Sequence, residues 1–350
     1  MRKILLIYPG VKNQLYPEIP LQLLYLASPL LDAGYDVEIW DCRLKDYRDI
    51  PNIDWLFVGV TSVSGGILKH AIAVSKHMKS LDPHIPVVWG GVHATLLPDQ
   101  TIDTSGGCVD KVIKGEGEIA IVELAQALSG GGEEKKIITG SKPVDMNKIP
   151  IELPYYLLDM KKYITSTFPI HTSRGCPHRC GFCYNTAFYG NRRWRWKSAN
   201  RVLEEIDYVV RHFHPQTISF AWEDEFFINK KRVLDICKGL IKRDYNIKWE
   251  SFCRFDDLDE FNADKISLLE ESGCNSLSLG IEGDNFIRNR IICKYISIEQ
   301  IISATKKLSK TKIREVVSFM CFDTAMACFN IPPDTEVTPT NNQSILGISL

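Results

Sequence analysis

The sequence predicts an α/β protein built from two consecutive parallel-sheet units. Short apolar segments alternate with helically patterned segments over the first 140 residues, and a second alternating series begins near residue 166. Strands that alternate with helices favour parallel sheets covered by helices. The first series predicts a doubly wound, Rossmann-like or flavodoxin-like domain. The second series holds five strand–helix units and predicts a partial TIM-type (β/α) barrel, whose site would lie at the carboxyl ends of its strands.

The composition is that of an ordinary globular protein and excludes several function classes. The 350 residues are 45% hydrophobic and 24% charged, with 42 basic and 43 acidic side chains, so no global field attracts nucleic acid or anionic lipid. No apolar run reaches the ~18 residues that span a membrane, and the apolar run at the N-terminus is too short for a signal peptide. We therefore expect a cytoplasmic protein, whose eleven cysteines are metal ligands or buried thiols rather than disulfides.

The first unit is predicted from residues 1–141. A helix follows from the shared face of Leu23, Leu24, Ala27 and Leu30, and Gly34 suits the position after it. Two more helices are predicted along Ile67–Met78 and Ile119–Leu128. The predicted strands are Ile4–Tyr8, Val37–Trp40, Trp55–Val60, Pro86–Trp89 and Val109–Ile113.

The second unit is predicted over residues 166–320, after a proline-punctuated linker at 142–165. Residues 321–350 contain no Lys or Arg, so we expect a poorly structured tail there. The predicted barrel strands are Ile170–Ser173, Thr217–Phe220, Ile247–Phe252, Ser276–Gly280 and Arg314–Phe319. The predicted helices are Ala199–Phe213, Lys230–Arg243, Glu260–Ser272 and Ile298–Ser309.

The sharpest motif is a group of three cysteines directly after the first predicted barrel strand. Cys176, Cys180 and Cys183 have CxxxCxxC spacing on a loop rich in glycine and proline. Thiolates suit iron–sulfur clusters or zinc, and three thiolates on a four-iron cluster leave one iron open. Arg174 and Arg179 are placed to offset thiolate charge. The alternative is a zinc site with a fourth ligand elsewhere, although zinc sites more often use paired CxxC spacings.

This motif, with Phe182 before its last cysteine, resembles the signature of the radical S-adenosylmethionine (SAM) family. The resemblance implies a [4Fe–4S] cluster whose open iron binds SAM and whose electron, from an external reductant of flavodoxin or ferredoxin type, yields a 5′-deoxyadenosyl radical. It also implies SAM contacts, although the acidic and basic residues among them would alternatively cap a helix or form an ion pair. The implied contacts are Phe182 at the adenine, Glu223 and Asp224 at the methionine amino group, Arg254 at the carboxylate, and Gly280 and Glu282 near the cofactor.

The first unit lacks the GxGxxG that a dinucleotide-binding domain needs after its first strand, since Tyr8 is followed by Pro9-Gly10-Val11-Lys12. It instead resembles the cobalamin-binding domain that often precedes a radical SAM domain. The matching segments are Pro20–Ala27, Gly59–Ser62, Gly90–Ala94 and Gly115–Glu118. The implied cobalamin contacts are Thr61, Ser62, Gly90, Gly91, His93, Gly115 and Glu116.

Glycines at strand ends let a backbone approach a bulky ligand beyond the sheet edge. The DxHxxG segment is absent, which implies that no protein histidine lies on cobalt. As an alternative, Gly90-Gly91-Val92-His93 is an ordinary strand-to-helix turn. The family's barrel continues past Met320, whereas Cys321-Phe322-Asp323 takes another course, so we expect a truncated barrel.

Three functions stay open at this point. The first is a cobalamin-dependent radical SAM enzyme that methylates or remodels an unactivated carbon of a small metabolite or tetrapyrrole. The second is a radical SAM enzyme whose first domain is only structural. The third is an inactive, truncated relative that binds cobalamin or metal. We do not expect nucleic acid as a partner. The basic, aromatic segment Arg192–Lys197 is interpreted as packing on the barrel edge. The resemblance also implies three further cluster cysteines before the motif in the RNA-modifying methylthiotransferase branch, whereas only Cys42 and Cys108 precede it here. No catalytic residue is assigned.

Overall fold

The first sheet is built as the sequence predicts. The computed structural model describes residues 3–10, 17–132, 135–140 and 143–319, so the predicted tail at 321–350 lies outside the described residues. The strands of this sheet are Lys3–Tyr8 (β1), Asp36–Asp41 (β2), Trp55–Thr61 (β3), Val87–Gly90 (β4), Lys111–Lys114 (β5) and Ile137–Thr139 (β6). They run parallel in the order β2-β1-β3-β4-β5-β6, a flavodoxin-like arrangement. The predicted doubly wound domain is confirmed, with β6 as an unpredicted edge strand.

Helices cover both faces of this sheet because its strands are apolar on both sides. In β1, Ile4 and Leu6 belong to one buried cluster, and Leu5 and Ile7 belong to the other. Such continuous apolar runs are typical of parallel strands buried on both faces. The helices are Leu21–Asp32 (α1), Gly66–Leu81 (α2), Val92–Leu96 (α3), Pro98–Asp103 (α4) and Glu118–Gly130 (α5).

The connecting segment after β6 is packed rather than loose. Tyr155 and Tyr163 are buried, and the Tyr155 ring lies 4.9 Å from that of Phe213 and 5.8 Å from that of Phe168. One apolar cluster therefore continues from the first sheet through this segment into the second unit. The 3-10 turns are Tyr47–Asp49, Met146–Lys148, Tyr155–Leu157 and Met160–Lys162.

The second unit is a partial barrel with five parallel strands. Its strands are Thr167–Pro169 (β7), Ser173–Arg174 (β8), Arg195–Trp196 (β9), Thr217–Ser219 (β10), Lys248–Cys253 (β11), Cys274–Gly280 (β12) and Arg314–Ser318 (β13). The barrel sheet has the order β13-β12-β11-β10-β7, while β8 and β9 form a separate antiparallel pair. The predicted partial TIM-type barrel is confirmed.

One predicted barrel strand is wrong. Residues Ile170–Ser173 are not the first strand, because β7 ends at Pro169 and β8 begins a separate pairing. The backbone N–H groups of Thr172 and Ser173 donate to the Glu223 carboxylate, at 2.5 and 2.8 Å, rather than to a neighbouring strand. The chain thus leaves the sheet early and delivers the cysteine loop.

Within its described residues, the second unit contains the four predicted helices, one of them shorter than predicted, and three short helical segments that the sequence did not predict. The helices are Asn185–Tyr189 (α6), Ala199–Phe213 (α7), Lys230–Arg243 (α8), Phe255–Asp259 (α9), Ala263–Glu271 (α10) and Ile298–Leu308 (α11), with a π-helical turn at Ile287–Ile291. The unpredicted segments are α6, α9 and the π-helical turn. The predicted helix Glu260–Ser272 is shorter, because the Asn262 side chain accepts from the Lys265 N–H and starts α10. Among the described residues, no helix is long and apolar enough to cross a membrane.

Candidate functional site

The three motif cysteines lie together on the loop that follows β8. All three are free and half-buried. Burial raises the pKa of the Cys176 thiol to about 12, and it also raises the pKa of Cys183; the neighbouring thiols add to both rises. Without a metal these thiols are therefore neutral, and a bound metal cation would hold the sulfurs as thiolates.

The loop supplies the donors that an iron–sulfur cluster uses. Such clusters are held by cysteine thiolates, and Cys176, Cys180 and Cys183 provide three of them. Within the described ranges, no group of three His, Cys, Asp or Glu side chains is arranged to hold a single metal ion.

Two acidic side chains after β10 accept hydrogen bonds from the residues just before the first motif cysteine. Glu223 is buried and accepts from the Thr172 hydroxyl at 2.7 Å, besides the two backbone N–H groups named above. Asp224 accepts from the Gly175 N–H at 2.7 Å and from the Tyr189 hydroxyl at 2.9 Å. Both residues also line the cavity described below. Their predicted contact with the SAM amino group stays a prediction.

A lysine that the sequence did not single out links the remaining predicted SAM residues. Lys294 donates from Nζ to the Gly280 carbonyl at 2.7 Å and to Glu282 at 3.1 Å. Its own carbonyl accepts from Arg254 at 2.8 Å, and another Arg254 nitrogen lies 3.5 Å from Cys180 Sγ. Phe182 has an exposed ring. Arg254 therefore places a cation beside a motif thiol, and its predicted contact with the SAM carboxylate stays a prediction.

One cavity of about 440 Å³ is lined on one side by the strand ends of the first unit and on the other by residues of the second unit. Gly91 has φ +95°, and a Cβ there would lie 2.7 Å from the Ser62 carbonyl, so only glycine fits. Five of the predicted cobalamin residues line this cavity: Thr61, Gly90, Gly91, Gly115 and Glu116.

Ser62 and His93 do not line the cavity. The Ser62 hydroxyl is buried, donates to the Gly90 carbonyl at 2.8 Å and accepts from the Ala94 N–H at 3.2 Å. The His93 ring lies 3.0 Å from the Ser64 hydroxyl. In this structure both residues stabilise the turn after β4, which is the alternative reading of Gly90-Gly91-Val92-His93.

Aromatic residues from the second unit line the same cavity. Tyr184, Phe188 and Tyr189 come from the segment after the cysteines, and Trp222 follows β10. His171 also lines it, with its ring 5.8 Å from that of Tyr25. These residues carry no motif of their own, and only the path of the chain after β7 and β10 brings them together.

The acidic residue at the end of β2 is already engaged. Asp41 is buried and accepts from Arg43, at 2.6 Å, and from the Tyr163 hydroxyl, at 3.1 Å. In dinucleotide-binding domains an acidic residue near this place binds a ribose hydroxyl. Asp41 instead joins the first unit to the connecting segment, in agreement with the missing GxGxxG.

Comparison with known proteins identifies the family. The model of the radical SAM superfamily matches residues 170–323, and that of the B12 binding domain matches residues 11–125. An uncharacterized methyltransferase of Pyrococcus horikoshii, PH0819, is 33% identical over 91% of this chain and 73% of its own length. This chain belongs to the B12-binding radical SAM proteins.

Two further proteins are similar to this radical SAM protein, one in sequence and one in fold. The anaerobic magnesium-protoporphyrin IX monomethyl ester cyclase of Synechocystis is 27% identical over 76% of the chain, which spans 57% of the cyclase. The solved structure of the radical SAM methyltransferase TsrM from Kitasatospora setae, with cobalamin and a [4Fe–4S] cluster bound, superposes with TM-score 0.71. At 18% identity, over 90% of this chain and 66% of TsrM, it confirms the fold.

Family membership confirms the predicted enzyme class and cofactors: a [4Fe–4S] cluster and SAM for the second unit, and cobalamin for the first. A first domain that is only structural is therefore disfavoured. The guanidinium of Arg174, which was expected to offset thiolate charge, pairs instead with Glu116 at 2.8 Å and with Glu118 at 2.6 Å. The roles of the individual site residues stay predictions.

Proposed function

We propose that this chain is a cobalamin-dependent radical SAM enzyme that methylates or remodels an unactivated carbon of a small metabolite or tetrapyrrole. One observation carries the proposal: a single cavity is lined by the glycine-rich strand ends of the first unit and by residues that flank the cysteine loop of the second. Groups bound at these two walls would face the same space. A substrate between them would lie within reach of both.

The cofactors supply the difficult steps when they are bound: the cluster and SAM give a 5′-deoxyadenosyl radical, and cobalamin gives a methyl carrier. Cys176, Cys180 and Cys183 would hold the cluster. Glu223 and Asp224 fix the loop that carries these cysteines, through the hydrogen bonds described above. Tyr184, Phe188, Tyr189 and Trp222 give the cavity an aromatic wall, which would limit the access of water to a radical formed there once the cofactors are bound.

We further propose the predicted SAM contacts on the same grounds. Phe182 is exposed and free to lie beside an adenine. Arg254 is a cation beside Cys180, where a carboxylate on the open iron would meet it. Gly280 and Glu282 are held by Lys294 near that place. Each role is tested by replacing the residue and measuring the SAM concentration at which 5′-deoxyadenosine release is half-maximal.

The partners and compartment are also proposals. The nine cysteines in the described ranges are all free, which suits a reducing compartment such as the cytoplasm. An external one-electron reductant of flavodoxin or ferredoxin type would act on a half-buried cluster. The substrate would be a small molecule, since it has to enter a cavity of about 440 Å³ beside the cofactors.

Corrinoid retention tests the two-cofactor proposal. The anaerobically reconstituted chain is mixed with hydroxocobalamin, and bound corrinoid is read from visible absorbance after gel filtration. We expect retention by the wild type and at least about tenfold weaker retention by Gly90→Phe, whose ring would enter the cavity. Gly66→Phe is the control, because Gly66 has open space around it at the start of α2. Equal corrinoid retention by the two variants would refute the cavity as the cobalamin-binding site.

The products separate the two reaction types. If SAM yields both S-adenosylhomocysteine and 5′-deoxyadenosine during turnover, the chain transfers a methyl group. If SAM yields 5′-deoxyadenosine alone, ring remodelling is favoured, as the name of the Synechocystis cyclase suggests. A fully loaded chain that releases neither product is the inactive relative of the third hypothesis.

A further inference from the structure

Four largely buried charges join the two units beside the cavity. Arg174 donates to Glu116 at 2.8 Å and to Glu118 at 2.6 Å, and Arg195 pairs with Glu116 at 2.8 Å. The side chains of Arg174, Glu116 and Glu118 are at most 13% exposed, and that of Arg195 is 21% exposed. We call these four residues the Arg174 latch. It carries two positive and two negative charges, so it is balanced without a solvent ion.

The latch holds only while it is complete. Removing one partner of a buried ion pair leaves an uncompensated charge, which is strongly destabilising. The planar Arg174 fork bridges two carboxylates at once, a geometry that a lysine does not reproduce.

The residues of the latch lie next to both walls of the cavity: the turn after β5 on one side and the start of the cysteine loop on the other. Glu116 lies in the turn after β5, and Glu118 is the first residue of α5. In the same turn the Gly115 N–H donates to Thr95 Oγ1 at 3.0 Å. A Cβ on Gly117 would lie 2.9 Å from Leu26 Cδ2, so this turn packs tightly on α1. On the other side, Arg174 lies two residues before Cys176. A shift of the turn is therefore transmitted directly to the first cluster cysteine.

We propose that Arg174, Glu116 and Glu118 are positioning residues. They would fix the first-unit wall of the cavity, where cobalamin is proposed to bind, relative to the cysteine loop. The proposal rests on the proposed function, since it assigns a purpose to the spacing of the two walls. It also assigns Glu116 to the domain boundary rather than to direct cobalamin contact. Two measurements test this role, one on the cofactor-free chain and one on the chain loaded with both cofactors.

Amide hydrogen exchange of the cofactor-free full chain tests the mechanical link. In Glu118→Gln, we expect exchange to rise on the order of tenfold both at 114–118 and at 172–176, across the domain boundary. Asp207→Asn is the control, because it breaks an ion pair with Arg243 inside the second unit. Unchanged exchange at 172–176 in Glu118→Gln would overturn the proposal.

Electron paramagnetic resonance tests the positioning itself. The chain is loaded with Co(II) cobalamin and a reduced cluster, and the magnetic interaction between the two centres is measured. We expect one well-defined interaction in the wild type and a broadened one in Glu118→Gln and Arg174→Lys, at equal iron and corrinoid content. A wild-type interaction in either fully loaded variant would contradict the proposal. A wild type that retains no corrinoid would instead refute the proposed function, and hydrogen exchange still decides on the latch.

Discussion

The carboxylate of Asp224 accepts a hydrogen bond of 2.7 Å from the backbone N–H of Gly175, one residue before the first motif cysteine. Gly175 has φ +83°, and a Cβ there would collide with the Arg193 carbonyl. The start of the cysteine loop is thus fixed from two sides: by a carboxylate after β10 and by the backbone before β9. Neither contact involves a sulfur atom, yet both set the direction in which the loop leaves β8.

Replacing Asp224 should loosen the loop without removing a ligand. In Asp224→Ala we expect iron to be lost to a chelator about 10- to 100-fold faster, as when other residues that orient metal ligands are removed. The rate is followed by the decay of cluster absorbance. Asp235→Ala is the matched control, because Asp235 pairs with the exposed Lys231 on the surface of α8. Equal rates in both variants would show that Asp224 does not hold the loop.

Two adjacent glycines in the first unit should respond differently to the same substitution. Gly91→Ala forces a side chain into a left-handed conformation against the Ser62 carbonyl, and should lower the free energy of unfolding by about 1–3 kcal/mol. Gly90→Ala meets no atom closer than 3.9 Å and should change it by less than about 1 kcal/mol. Urea denaturation followed by circular dichroism measures both. A Gly90→Ala chain as unstable as Gly91→Ala would be inconsistent with the geometry of this turn.

The ring of His171 should make the fold sensitive to acid. Burial lowers its pKa to about 3, with Arg174 and Lys197 adding to the effect, whereas an unfolded histidine has a pKa near 6.5. Between these values the unfolded chain binds the extra proton, so stability falls as pH falls from about 6.5. The slope from this one group approaches about 1.4 kcal/mol per pH unit.

His171→Gln should remove that contribution. Unfolding free energies of the two chains are compared from pH 7 down to pH 5 by urea titration. We expect the variant to lose less stability than the wild type over this range. Parallel curves would mean that His171 is not held neutral at the cavity wall.

Local patterns predicted much of the fold. Helix α7 was predicted at its observed bounds because its apolar stripe lies within the helix itself, and the structure adds a cap from the preceding Ser198. The first barrel strand was misplaced because the Glu223 carboxylate that ends the pairing is about 50 residues away in sequence. A pattern within one segment carries no trace of such a contact.

The same distinction divides the site. The three cysteines were predicted because their spacing is itself the signal. The pairing of Arg174 with Glu116 joins residues 58 apart, so sequence alone led to a role for Arg174 at the thiols instead. Lys294 and Trp222 have no motif, and their places follow only from how the barrel closes around the loop.

Anaerobic reconstitution with iron and sulfide tests the central claim most directly. For the wild type we predict about four iron and about four sulfide per chain, and 5′-deoxyadenosine release from SAM that requires a reductant. Cys176→Ala should lose both, whereas Cys237→Ala, which removes a buried thiol of α8, should keep both. Undiminished 5′-deoxyadenosine release from Cys176→Ala, or a wild type that takes up zinc but no iron, would contradict the account.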